Sequence, residues 1–373
     1  MSRGLPKRGF RFGPLRNSFQ RSPLRIYSPA GNDALNGERA PILKYALKEI
    51  LAGPRGIAKS SHLWLPLLLI LFSDPRLDLK GAFSRSLYLI LAVVCKVQFS
   101  IQMNDLSDRE EDKAAGKKRW TGHLSFPLSL ALAIAFIAVG LGTAAFVGRS
   151  PAAISAYMAS TLLGLFYSLR PVRFKERGIW GLIVYALSAT IIFVMVPWAW
   201  FDSSLLMLVF LFCVVFSDKW VQIHFHQIAD YENDRECGTK TFVVQNGLNR
   251  AQSTLQVAAF LASLFMASLL VYLLFLSKLP TIQQIVLLAC TAVILAASGI
   301  YVRVIKRTSA ASSALVKELP SIYLGLTFLL FAVLPPLGFI LLALKNPLMW
   351  ILVVLSAFSL VGISHRSIRY QTR

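Results

Sequence analysis

Ten apolar runs follow one another after residue 60, at roughly 63–73, 84–103, 126–147, 152–167, 179–200, 204–229, 254–276, 282–302, 321–344 and 348–364. This succession constrains the fold more than any other feature of the chain. A helix crosses the hydrocarbon core with about 20 residues, and lipid offers no partner to an open strand edge or an irregular backbone. The expected fold is therefore an all-α membrane protein. The first run is short and the fourth and tenth are marginal, so ten spans is the working count. Composition agrees: 55% of the 373 residues are hydrophobic and 15% charged, outside the range of soluble domains.

The formal net charge of +21 does not indicate nucleic acid, because the cations are dispersed over short loops, where Lys and Arg set membrane topology. If the basic N-terminus is cytoplasmic, the charged loops Arg109 to Arg119, Arg170 to Arg177, Arg235 to Arg250 and Arg303 to Lys317 fall on that same side. The lightly charged loops at Gly148 to Pro151, Phe201 to Ser203 and Ser277 to Thr281 fall opposite. Ten spans return the tail His365 to Arg369 to the cytoplasm; nine would strand it outside. Residues 1–57 form a basic N-terminal extension punctuated by Pro and Gly, with seven cations before the first acid, Asp33. Too apolar-poor to fold alone, it reads as a disordered tail held against anionic lipid. An organelle targeting peptide is the competing reading. Residues 58–373 form the membrane domain.

Acidic residues number only 18, and half of them lie in two windows, Asn104 to Asp112 and Asp230 to Glu236. Each window directly follows an apolar run, and the topology puts both on one membrane face. Asp105, Asp108 and Asp112 stand at i, i+3 and i+7, and Asp230 and Asp234 at i and i+4, so each set shares a helix face. Like charges so placed repel one another and the negative end of the preceding helix. A divalent cation resolves both conflicts. Mg²⁺ suits the pattern, being a hard ion held by one or two carboxylates together with substrate phosphate. The competing reading is a pair of solvated acidic loops.

Polar stripes run back from each window into the membrane, Lys96-Ser100-Asn104-Asp108-Asp112 and Asp218-Gln222-His226-Asp230. Ionisable groups inside a span face a cavity rather than lipid. Asp218 beside Lys219 also reads as a local ion pair, and His224 and His226 as core histidines. Between the windows, Tyr167 to Arg177 carries four cations, of which Arg173 and Lys175 suit diphosphate oxygens, one as a fork and the other as a point charge. The short match of Asp108-Arg109-Glu110 to Asp234-Arg235-Glu236 fits two halves built on one helical unit.

On these residues the chain resembles the UbiA superfamily of intramembrane prenyltransferases. The first window fits the N-D-x-x-D-x-x-x-D motif, and the second fits D-x-x-x-D followed by Gly238-Thr239-Lys240-Thr241. Tyr167, Pro171, Arg173 and Lys175 fit the Y-S-x-x-P-x-R-x-K loop. The resemblance implies a bundle of nine or ten transmembrane helices around a central cavity open sideways to lipid. It implies a Mg²⁺-dependent prenyltransferase moving a prenyl group from a polyprenyl diphosphate to a lipophilic, aromatic acceptor. Metal would be held by Asp105, Asp108, Asp112, Asp230 and Asp234, with Asp105, Asp108 and Asp230 catalytic. Asn104, Tyr167, Arg173, Lys175 and Lys240 would contact the diphosphate. A secondary transporter using Lys96, Asp218 and Lys219 is the alternative from another class. It predicts charges near the middle of several spans rather than acids crowded at one face.

Overall fold

In a computed structural model of the chain, residues 61–73, 78–114, 124–276 and 321–357 are described, with isolated positions at 285, 288, 289 and 292. The N-terminal extension, most of the eighth apolar run and the basic C-terminal tail lie outside the described residues.

Helices account for all the regular structure described. They are α1 (Ser61–Ser73), α2 (Leu79–Ser107), α3 (Arg109–Ala114), α4 (Phe126–Gly148), α5 (Pro151–Ser168), α6 (Ile179–Phe201), α7 (Leu205–Ala229), α8 (Tyr231–Glu236), α9 (Phe242–Asn246), α10 (Leu248–Val271), α11 (Ser321–Phe328), α12 (Leu334–Ala343) and α13 (Pro347–Ala357). Among the described residues, six helices are long and apolar enough to cross a membrane, and α1 and α13 are shorter apolar helices. Nine of the ten apolar runs fall on described helices, the tenth as far as Ala357, and most of the eighth lies outside the described residues. The chain is an integral membrane protein by these helices.

Local chemistry sets where the spans begin. Asp78 accepts from the backbone of Lys80 and Gly81 at 3.1 and 2.9 Å to start α2. Ser125, Ser150 and Ser204 cap α4, α5 and α7 through their hydroxyls, each satisfying a donor that the first helical turn leaves unpaired. The prolines of α6 and of the α11–α12 junction follow widened turns. Pro197 follows the π turn Ile191–Met195 in α6, and Pro335-Pro336 follow Leu329–Val333 between α11 and α12. Each widened turn holds the carbonyl four residues before the proline, where an ordinary helix would clash with the ring. The proline pair therefore does not split the ninth run.

The core is one large apolar cluster that includes the fully buried Trp64, Trp200, Tyr157 and Phe339. Helices approach closely where small residues face bulky ones. A Cβ on Gly140 of α4 would come within 1.9 Å of the Tyr157 hydroxyl on α5, which itself donates to Ala92 O on α2 at 3.1 Å. A smaller cluster of Phe99, Met103, Leu106 and Ala133, backed by Leu165 and Leu169, lies between α2, α4 and α5. It props the end of α2 that carries the first acid window.

Candidate functional site

Both windows are built the same way. The long helix α2 bends at Asp108 (φ −98°, ψ 8°) into the six-residue α3, and α7 bends at Asp230 (φ −94°, ψ 6°) into the six-residue α8. The backbone stays in helical register through each bend. Asp108 N donates to Asn104 O at 3.0 Å and Asp112 N to Asp108 O at 2.7 Å, while Asp230 N donates to His226 O at 2.9 Å and Asp234 N to Asp230 O at 2.8 Å. The bends equate Asp108 with Asp230 and Asp112 with Asp234. This shifts the short sequence match, which had set Asp108 against Asp234, by one turn. Identical bends outrank three matching letters, because the bend decides where the carboxylates point.

The surroundings of the two windows differ. Asp105 and Asp112 are buried, whereas Asp230 is exposed and Asp234 half-buried. Asn104 accepts from Ser168 Oγ at 3.3 Å, and Ser107 Oγ donates to Ser168 O at 2.6 Å, so the end of α5 is fastened to the end of α2. That junction delivers the loop after α5 onto the first window. Arg173 adopts a left-handed backbone (φ 36°) and its side chain is 3% exposed. Its Nη2 reaches Asp108 Oδ1 at 3.1 Å and Glu111 Oε2 at 2.6 Å, and its Nε lies 2.9 Å from Glu176 Oε1. Lys175 Nζ also pairs with Asp108 Oδ1. Burial alone would raise the Glu111 carboxyl, but the Arg173 hydrogen bond and the charges of Arg173, Lys175 and Arg170 hold it below the usual range. Burial likewise works against the charged Arg173, and its carboxylate partners override it and raise the guanidinium further.

The same loop continues to the second window. Gly178, at φ 58°, forms an isolated parallel bridge with Thr241, a backbone geometry that favours glycine. Gln245 Nε2 donates to Lys240 O at 2.8 Å and to Glu176 O at 3.3 Å. Thr239 N donates to Asp234 O at 2.8 Å, and Thr241 caps α9 through its hydroxyl. Lys240 presents an exposed side chain. Tyr167, half-buried at the end of α5, interacts electrostatically with both Asp108 and Asp234. The loop and Tyr167 thus join the two acid windows into one site.

The donor set fits Mg²⁺ by chemistry: every candidate ligand is an oxygen, as a hard cation requires. Among the described residues no three His, Cys, Asp or Glu converge on a ready-made metal site. Each window instead carries a carboxylate pair at i and i+4, Asp108 with Asp112 and Asp230 with Asp234. The sequence does not single out Glu111, at a variable position of the first motif, or Glu176, one residue beyond the loop motif. Only their place in a charge-balanced group, three cations against Asp108, Glu111 and Glu176, reveals them.

Deeper in the bundle, Asp218 is fully buried. Its carboxylate accepts from His62 Nε2 at 2.6 Å, Gln222 Nε2 at 2.7 Å and Tyr323 Oη at 2.6 Å. Lys219 Nζ donates to Gln222 Oε1 at 3.1 Å and lies over the Phe193 ring. The charge of the adjacent Lys219 also acts on Asp218, beside these three longer-range donors. His224 is a buried histidine set edge-on to Phe242 at 5.2 Å, but His226 is exposed and no core residue.

Two carboxylate bends and a cationic loop at the ends of apolar helices define a membrane protein with one concentrated charged site. The chain belongs to the UbiA prenyltransferase family, whose profile matches residues 64–319. A solved UbiA homologue from Archaeoglobus fulgidus shares 21% identity and superposes with a TM-score of 0.55, covering 82% of this chain and 98% of that one. The homologue from the same organism bound to GPP and Mg²⁺ gives 20% identity and a TM-score of 0.52 over 74% and 96%. A digeranylgeranylglyceryl phosphate synthase gives 16% and 0.50 over 87% and 95%. These likenesses establish the shared fold. No curated protein matches the chain.

Proposed function

We propose that this protein transfers a prenyl group from an isoprenoid diphosphate to a lipophilic acceptor, the aromatic class being the one favoured. The observation that carries the reading is the single loop that grips Asp108 through Arg173 and Lys175 and bridges to Thr241 behind Asp234. One site therefore has acidic walls and a cationic lid, the complement of a metal-bound diphosphate. The Archaeoglobus homologue, solved with GPP or DMAPP and Mg²⁺, supports the donor class. When bound, Mg²⁺ would neutralise diphosphate oxygens as the allylic carbon–oxygen bond breaks. Asp105, Asp108, Asp112, Asp230 and Asp234 would hold it.

The chain's own groups do the rest. Arg173 and Lys175 release Asp108 and turn their donors to the phosphate oxygens, steadied by Glu111 and Glu176. Asn104 and Lys240 line the diphosphate seat, and charge so placed is worth most where water is excluded. Tyr167 and Tyr185, with ring centroids 5.6 Å apart, offer π faces to a developing allylic cation. The acid windows and both termini face the cytoplasm in this reading. A transporter has less support, because Asp218 is locked by three short donors instead of lying free to exchange an ion.

The test uses the full chain in detergent with geranyl diphosphate, Mg²⁺ and a panel of lipophilic phenols and quinols, following diphosphate release. Asp108→Ala and Asp230→Ala should each abolish it, as should chelation. Full release by either variant would sink the assignment.

A further inference from the structure

The two polar stripes are in register. Lys96 precedes the bend at Asp108 by 12 residues and Asp218 precedes the bend at Asp230 by 12 (108 − 96 and 230 − 218). Along both stripes, exposure changes in the same direction. Asp230 and His226 are exposed, Gln222 is half-buried and Asp218 is closed off. Asp108, Asn104 and Ser100 are half-buried and Lys96 is closed off. Polar side chains in a span do not face lipid, so this open stretch lines an interior space.

The space ends at a polar layer that crosses the bundle. On one side Lys96 Nζ of α2 donates to Ser188 Oγ of α6 at 3.1 Å, and Ser188 exchanges hydrogen bonds with Ser160 of α5 at 2.7 and 2.9 Å. On the other, Asp218 of α7 ties His62 of α1 to Tyr323 of α11. The two sides share α6, which carries Ser188 on the first and Phe193 on the second, the Phe193 ring lying 6.0 Å from that of His62 and 5.1 Å from Lys219 Nζ. Beyond the layer the same helices are solid: Leu89, Ala92 and Val93 on α2 and Leu211, Val214 and Val215 on α7 are at most 1% exposed.

We infer that this layer is the floor of the donor cavity and limits the isoprenoid the site accepts to about two to four units. The inference rests on the proposed prenyl-diphosphate reading and narrows its substrate class. Twelve helical residues rise about 18 Å, and an isoprene unit of four carbon–carbon bonds near 1.5 Å each extends roughly 5 Å. A diphosphate seated at the bends therefore places the tail of a chain of about three units against Asp218 and Lys96. A longer chain meets a charged, hydrogen-bonded layer. Opening that layer strands buried charges, which costs more than the added methylenes return. His62, Tyr323 and Lys96 are thus specificity-determining residues.

The experiment uses the full chain in nanodiscs with Mg²⁺, measuring competition against labelled geranyl diphosphate by prenyl diphosphates of one to ten units. Affinity should rise to about three units and then fall at least tenfold by eight. Tyr323→Ala, which removes a ring from the layer, should extend the accepted length by about one unit while leaving the one-unit donor unchanged. If the longest donors compete as well as the three-unit donor, the tail leaves sideways into lipid and the floor is refuted. If no prenyl diphosphate of any length competes, the donor reading itself fails instead. Should the Tyr323 variant not fold, the length series on the unaltered protein decides alone.

Discussion

The two acid windows share a backbone and differ in company. Asp108 and Asp230 occupy the same bend within a few degrees in φ and ψ. Yet Asp108 is neutralised by Arg173 and Lys175, while Asp230 lies exposed. Buried carboxylates keep their charge only when paired, so the enclosed window carries its own cations. The exposed Asp230 is screened by solvent. The same bend is thus used twice, once inside a preorganised charge cluster and once at the surface.

The largest expected effect removes one member of each pair. Asp108→Ala and Asp230→Ala should each lower diphosphate release by at least about a hundredfold, the scale of losing one preorganised charge-stabilising group. Their stabilities should separate. Asp108→Ala leaves Lys175 without its carboxylate and should destabilise the chain by about 3 kcal/mol. Asp230→Ala, at an exposed position, should melt with the unaltered protein in a detergent thermal-shift measurement. Equal melting of the two variants would break the contrast drawn between the windows.

Next in size is Arg173, which serves Asp108, Glu111 and Glu176 at once. Arg173→Ala should raise the KM for geranyl diphosphate by about one to two orders of magnitude. Arg173→Lys should recover little of it, because an ammonium cannot replace a fork that engages several oxygens. Full recovery by lysine would mean that the loop supplies charge alone and that its geometry is incidental.

The bundle and both windows were legible in the sequence for physical reasons. Apolar runs near membrane thickness allow only helices, and i, i+4 spacing fixes which carboxylates share a face. The linkage of the windows was not legible. It depends on Arg173 entering a left-handed backbone and on Gly178 bridging to Thr241, 63 residues further along, and neither leaves a local pattern. The Asp218 layer shows the same limit. Its partners His62 and Tyr323 lie 156 and 105 residues away, so adjacency revealed only Lys219. The widened turns before Pro197 and Pro335 likewise answer a clash that the letters announce without saying how the helix relieves it.

The smallest expected effect is also the one that most sharpens the comparison, because Glu111 belongs to the enclosed window and has no cation-holding counterpart in the exposed one. Glu111 is held ionised below the ordinary glutamate value near 4.5, its cationic neighbours outweighing the effect of burial. A depressed folded pKa contributes stability that is present above the unfolded value and lost as pH falls through the folded one. The loop should therefore stay ordered at neutral pH and loosen only under acid, below about pH 4.5. Hydrogen exchange of residues 172–177, corrected for intrinsic rates, should report that loosening. Glu111→Gln should remove much of this acid dependence and raise the donor KM about threefold at neutral pH with little change in kcat, since Glu176 still steadies the guanidinium. Glu111→Asp should restore part of the KM. If the glutamine variant loosens under acid as fully as the parent, Asp108 alone anchors the loop, and the enclosed window reduces to one carboxylate with two cations.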